Sequence, residues 1–237
     1  MTFKDKVALV AGGTGGLGRA VSQAFVAEGA KVIATYRKRE EFDDLKKTAG
    51  AGASNLVGSD VDVTDQAAVQ KLISNIVKEN GRLDFMVNAV GAYAGGLKLW
   101  ETDADVLDQQ LKLNLISGYV LSRAVAPFML KQQRGAIVSV ASKAAVDHAA
   151  GAAAYAASKA AAVAMMDSLA ADLKGSGVRV NSILPSIIDT QANRKAMPGA
   201  DFAKWPKPED ITRVILFLCS DDARVIHGAA LPVYGDS

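Results

Sequence analysis

Lys6-Val7-Ala8-Leu9-Val10-Ala11-Gly12-Gly13-Thr14-Gly15-Gly16-Leu17-Gly18 is the stretch whose reading decides the fold. The short apolar, β-branched run from Lys6 to Ala11 predicts a strand, and the residues after the glycines carry a helical pattern through Glu28. Strand, glycine loop and helix in that order form the opening turn of a dinucleotide-binding βαβ unit. Glycines let backbone approach a pyrophosphate, and the free N–H groups at a helix start stabilise its charge. A plain flexible turn is the competing reading. The position of the loop, close before a second strand, favours Gly12, Thr14, Gly15, Gly16, Leu17 and Gly18 as cofactor contacts.

That second strand, Lys31 to Thr35, ends at Tyr36-Arg37-Lys38-Arg39. An acid is expected there for a free ribose hydroxyl, and positive charge for a 2′-phosphate. Tyr36 stands where the acid would be and Arg37 follows, which favours NADP(H) over NAD(H); a solvated helix start is the alternative. A helix near Glu40 to Lys47 precedes a third strand, Asn55 to Val61, ending at Asp62-Val63. Asp62 can accept from an adenine amino group, cap the helix begun by Thr64-Asp65, or do both. The helix Gln66 to Glu79 leads to a fourth strand, Leu83 to Asn88, and then to the small-residue stretch Ala89 to Gly96, where a nicotinamide ribose could lie against backbone.

Further on, the apolar run Ala136 to Ala141 predicts a buried strand, with Ser142 just beyond it and an alanine-rich helix over Ala152 to Leu173. Tyr155 and Lys159 are four apart on that helix and so share a face. A cation beside a phenol, whose ordinary pKa is near ~10, favours the phenolate and brings the group toward useful acid strength. Ser142 and Tyr155 could then hold one substrate oxygen. In the long helical pattern Asp103 to Leu130, Asn114 sits among apolar residues; it serves either a structural bond or, if it approaches Lys159, a water in a proton relay. Val178 to Leu184 predicts a sixth strand. The irregular stretch Pro185 to Pro208 has the length and aromatics of a lid, and a helix Pro208 to Cys219 and a strand Ala229 to Tyr234 close the chain.

Strands alternate with helices throughout the 237 residues, so the expected fold is α/β, a single-domain Rossmann-type doubly wound parallel sheet of about seven strands. Lys plus Arg number 27 against 25 Asp plus Glu without a basic stripe, which argues against nucleic acid or an anionic membrane as partner. No uncharged apolar span is long enough to cross a bilayer, and the N-terminus does not suit a signal peptide. One cysteine, Cys219, fits a reducing cytoplasm, and with only His148 and His227 beside it no metal-ligand cluster is expected.

These motifs resemble the short-chain dehydrogenase/reductase family over essentially the whole chain. Its Thr-Gly-x-x-x-Gly-x-Gly pattern is similar to Ala11-Gly12 through Gly16-Leu17-Gly18, with Ala for Thr; its Asn-Asn-Ala-Gly element is similar to Asn88-Ala89-Val90-Gly91; and its Asn, Ser and Tyr-x-x-x-Lys match Asn114, Ser142, Tyr155 and Lys159. The resemblance implies hydride transfer between a nicotinamide and a carbonyl or alcohol. Ser142 would polarise the substrate oxygen, Tyr155 would donate the proton, Lys159 would lower the tyrosine pKa and hold ribose hydroxyls, and Asn114 would fix a water. It also implies cofactor contacts at Asp62, Val63, Asn88, Ala89, Gly91, Pro185, Ile188 and Thr190, and pairing into a homodimer or homotetramer through the two long helices. Tyr93, His148 and Trp205 are the candidate substrate contacts, surface placement being the other reading of His148.

A narrower likeness joins Tyr93-Ala94-Gly95-Gly96, Lys143-Ala144-Ala145, Leu184-Pro185, Asp189-Thr190 and loop residues from Asn193 to Trp205 to the dihydropteridine reductase branch. That branch typically lacks a serine at the Ser142 position and carries Asp where Tyr36 stands. A dihydropteridine-reductase-like enzyme and a non-catalytic NADP(H)-sensing module are the alternatives to a carbonyl reductase.

Overall fold

The computed structural model describes residues 2–237. Seven parallel strands, β1 (Val7–Ala11), β2 (Lys31–Tyr36), β3 (Leu56–Asp60), β4 (Phe85–Asn88), β5 (Gly135–Val140), β6 (Val178–Pro185) and β7 (Ala229–Val233), form one sheet in the order β3-β2-β1-β4-β5-β6-β7. Every residue of β1 is buried, because helices cover both faces of a parallel sheet. Ala8 and Val10 enter one core with Leu17, Val21 and Phe25 of α1 (Gly16–Ala27) and Ile211 and Ile215 of α8 (Pro208–Cys219). Val7, Leu9 and Ala11 point the other way, into a core with Val69 and Ile73 of α3 (Gln66–Asn80), Leu121 and Val125 of α5 (Ser117–Gln132) and Met166 of α6 (Ala153–Asp172). The remaining helices are α2 (Arg39–Thr48), α4 (Ala104–Leu111) and α7 (Gln191–Ala196).

From β1 the chain winds outward to β3, then returns past β1 to start β4 on its other side. The loops leaving β1 and β4 therefore diverge, and a crevice opens at the carboxyl ends of these two strands. Gly12, at φ +71°, lies so close to the β4 exit that a Cβ there would sit 3.2 Å from the Ala89 carbonyl. Helix α1 packs closely on the loop, and a Cβ on Gly18 would run into the Gly12 carbonyl oxygen.

Two stretches depart from the periodicity. The run predicted as one helix over Asp103 to Leu130 is α4, a π-helical turn at Lys112–Ile116 and then α5. The wider turn sits at Asn114, whose amide is drawn into the interior, and the Ser117 hydroxyl donates back to the Leu113 carbonyl at 2.7 Å. The stretch read as irregular from Pro185 to Pro208 contains α7, too short to show a helical period, with Thr190 accepting from the Asn193 N–H at 3.2 Å as its cap. The helical run Ala104–Gln132 also reaches the length and mean hydropathy, 1.3, of a bilayer-crossing helix despite its charged residues; Val120, Leu121, Ala124, Val125 and Met129 bury its inner face on the sheet.

Candidate active site

Ser142 follows the last residues of β5 in extended backbone, and its hydroxyl accepts from the Ala144 N–H at 3.1 Å, starting a short 3-10 turn. Helix α6 begins at Ala153, so Tyr155 stands in its first turn and Lys159 one turn later on the same face. The Ser142 hydroxyl lies close enough to the Tyr155 phenol to act on its protonation. Lys159 is only 4 % exposed; its Nζ donates to the Val140 carbonyl at 3.0 Å and lies 6.0 Å from the centre of the Tyr155 ring. A strand end and the following helix thus bring the two hydroxyls and the amine together.

The protonation balance differs from the expectation drawn from four-residue spacing. Burial raises the Tyr155 pKa above the usual phenol value, the Ser142 hydroxyl acts in the opposite direction, and the nearby Tyr93 phenol adds to the rise. Lys159 does not lower it here, because the amine is turned to the Val140 carbonyl and its own burial pushes it down to about 8. The phenol is therefore held neutral at neutral pH, the form that donates a proton.

Asn114 is 3 % exposed, and both ends of its side-chain amide are hydrogen-bonded. Its Oδ1 accepts from the Ala92 N–H at 3.0 Å; its Nδ2 donates toward the Ala92 carbonyl (3.0 Å), Gln110 Oε1 (3.1 Å) and Ser158 Oγ (2.9 Å). It latches the loop after β4 to α6. A Cβ on Gly91 would lie 2.9 Å from Asn114 Oδ1 and 3.1 Å from Lys159 Nζ, so the amide and the amine flank one small gap beside a glycine. Neither the latch through Gln110 and Ser158 nor the tight fit at Gly91 has a local sequence signal; both arise from tertiary packing.

The glycine loop fits a dinucleotide. Gly15 and Gly16 are exposed, no side chain caps the start of α1, and no acid lies in its first turn. The Thr35 side chain accepts from the Gly12 N–H at 2.9 Å and fixes the loop to β2, while the Thr190 methyl group lies 2.8 Å from the place of a Cβ on Gly16, at the crevice edge. Leu17 and Val63 are buried in the two cores, leaving only their backbone toward the crevice. Asn88, at the end of β4, accepts from the Val90 N–H at 3.1 Å. Pro185 ends β6, and the Ile188 carbonyl accepts from Thr190 N–H and Asn193 Nδ2, both at 2.8 Å.

At the end of β2 the ring of Tyr36 is turned under α2, stacked on Phe42 at 5.2 Å, so packing takes the side chain that the sequence offered to a ribose. Arg37 is exposed and forms no salt bridge among the described residues, while its charge reaches the Asp62 carboxyl. Asp62 accepts from the Thr64 N–H at 2.9 Å and hydroxyl at 2.7 Å, contacts that hold its carboxyl below the usual range; the cap of α3 is Asp65. Of the candidate substrate residues, Tyr93 packs edge-on against Tyr155, ring centres 5.0 Å apart, and remains 68 % exposed. His148 is exposed. Trp205 departs from the pocket reading: it is buried against Phe202, itself covered by Arg194, whose guanidinium pairs with Asp189.

A family model described as short chain dehydrogenase matches residues 6–201. The 3-oxoacyl-(acyl-carrier-protein) reductase of Thermotoga maritima is 31% identical over 243 residues, covering 99% of this chain and 98% of that protein. A solved structure of ElxO with NADP bound superposes with a TM-score of 0.92 at 26% identity, covering 97% of each chain. The crystal structure of NAD+-bound xylitol dehydrogenase superposes with a TM-score of 0.90 at 26% identity, covering 99% of this chain and 100% of that one.

Proposed function

As the chain belongs to the short-chain dehydrogenase/reductase family of oxidoreductases, we propose that it interconverts a small carbonyl compound and its alcohol, with NADP(H) preferred over NAD(H). The convergence of Ser142, just past β5, with Tyr155 and Lys159, one turn apart on α6, carries this reading. A bound nicotinamide supplies the hydride in reduction and takes it up in oxidation. Ser142 donates a hydrogen bond to the substrate oxygen and Tyr155 gives that oxygen its proton, which suits a phenol kept neutral by burial. Lys159 would offer its amine to the ribose hydroxyls. Asn114 Oδ1 has a lone pair free besides the bond from Ala92, and a water there, beside Lys159, returns the proton from solvent.

The glycine loop from Gly12 to Gly18 would hold the pyrophosphate, and Thr190 and the backbone near Ile188 would border the nicotinamide. Arg37, exposed just past β2 and in no salt bridge among the described residues, would meet the 2′-phosphate. The NADP-bound neighbour supports that preference, and the NAD+-bound neighbour shows that the same fold serves either nucleotide. Tyr93 forms one wall of the substrate pocket, and the segment 186–208 borders it. Exposed Leu107, Ile116 and Tyr119 give an apolar face suited to a homodimer or homotetramer, and the single buried cysteine suits the cytoplasm.

The test is oxidation of NADPH and of NADH by the purified protein over a panel of ketones, aldehydes, diketones and quinonoid dihydropterin. Turnover of a carbonyl, faster with NADPH, is expected. Turnover of the dihydropterin alone would select the dihydropteridine reading, and nucleotide binding without any turnover would select the sensor.

A further inference from the structure

The basic run after β2 is largely neutralised by acids of α2. Arg39 Nε donates to Asp43 at 2.9 Å, and Lys38 Nζ lies 3.8 Å from Glu41 Oε1, leaving Arg37 in no salt bridge among the described residues. Arg19, on α1, is likewise taken by Asp44 at 2.6 Å. Glu41 does more than pair with Lys38. Its other oxygen, Oε2, accepts from the Thr14 hydroxyl at 3.1 Å, across 27 residues, and the side chain is half-buried. The carboxylate therefore bridges the glycine loop and the segment that follows β2, beside the two elements that flank the adenosine ribose in this kind of fold. No acid stands at the strand end itself, where Tyr36 is packed away on Phe42; the acid comes from the first turn of the next helix instead.

We propose that Glu41 is a specificity-determining residue for the nucleotide. This rests on the reading that a nicotinamide dinucleotide occupies the glycine-lined crevice. The anchored carboxylate accepts from a free 2′-hydroxyl and repels a 2′-phosphate, while Arg37 attracts the phosphate. The two opposed charges narrow the preference for NADP(H), so that NAD(H) also binds.

Titration of the protein with NADPH and with NADH, followed by calorimetry, tests this on the wild type, Glu41→Gln and Glu41→Lys. Glu41→Gln keeps an oxygen for Thr14 but removes the charge; it is expected to raise the ratio of NADPH to NADH affinity about fivefold, the scale of one partly screened charge interaction. Glu41→Lys should raise it further, and both gains should shrink at high salt. A ratio unchanged in both variants, with both nucleotides still bound by the wild type, overturns the role of Glu41 and leaves the proposed function standing. A wild type that binds neither nucleotide overturns both.

Discussion

Lys159 Nζ donates to the carbonyl of Val140 at 3.0 Å and not to the phenol of Tyr155, although the two side chains share a helix face. The bond pins the amine to the end of β5, where an ammonium is desolvated and its pKa falls to about 8. The site thus holds a cation that burial disfavours, and this strain can be measured.

Lys159→Met removes the buried charge. Below about pH 8 the lysine is protonated in both folded and unfolded chains and the folded state carries the full desolvation penalty. From there up to the unfolded value near ~10.4 the unfolded chain binds more protons, so wild-type stability rises with pH relative to the variant, by up to about 3 kcal/mol. Thermal midpoints of both proteins from pH 7 to 10.5 check this. A difference that stays constant or moves the other way would contradict it.

Ser142→Ala removes the hydroxyl that pulls the Tyr155 pKa down. The phenol should then ionise at higher pH, so the rising limb of the alcohol-oxidation profile, set by formation of the phenolate, moves alkaline. Loss of the hydroxyl proposed to hold the substrate oxygen should lower kcat/KM by about 10² to 10³. The profile of kcat/KM against pH reads both effects, and an acid shift would count against the assignment.

Gly91→Ala introduces a methyl group 2.9 Å from Asn114 Oδ1 and 3.1 Å from Lys159 Nζ. Backbone strain is not the issue there; the clash is with two polar groups that must move apart. An overpacking cost of about 1–3 kcal/mol is expected, with a larger loss in turnover than in nucleotide affinity. Calorimetric binding beside steady-state rates separates the two, and full activity would show that the gap is not used.

Local patterns made much of this legible. A parallel strand buried on both faces reads as an unbroken apolar run, so β1 and its glycine loop stand out at Val7 to Gly18, and four-residue spacing put Tyr155 and Lys159 on one face. Direction and burial were not legible. Spacing could not say that Lys159 would aim at Val140, that Tyr36 would turn under α2, or that Trp205 would be buried beneath Phe202. The π turn at Asn114 and the reach of Glu41 to Thr14 depend on elements distant in sequence, which periodicity does not report.

The most direct measurement is NADPH binding alongside carbonyl reduction by Tyr155→Phe, which keeps the ring against Tyr93 and removes only the acidic hydroxyl. The dissociation constant should stay within about threefold of wild type while turnover falls by about 10² to 10⁴, the range that a positioned proton donor contributes. Turnover above a tenth of the wild-type rate, with NADPH still bound, would contradict the assignment of Tyr155 as the proton donor.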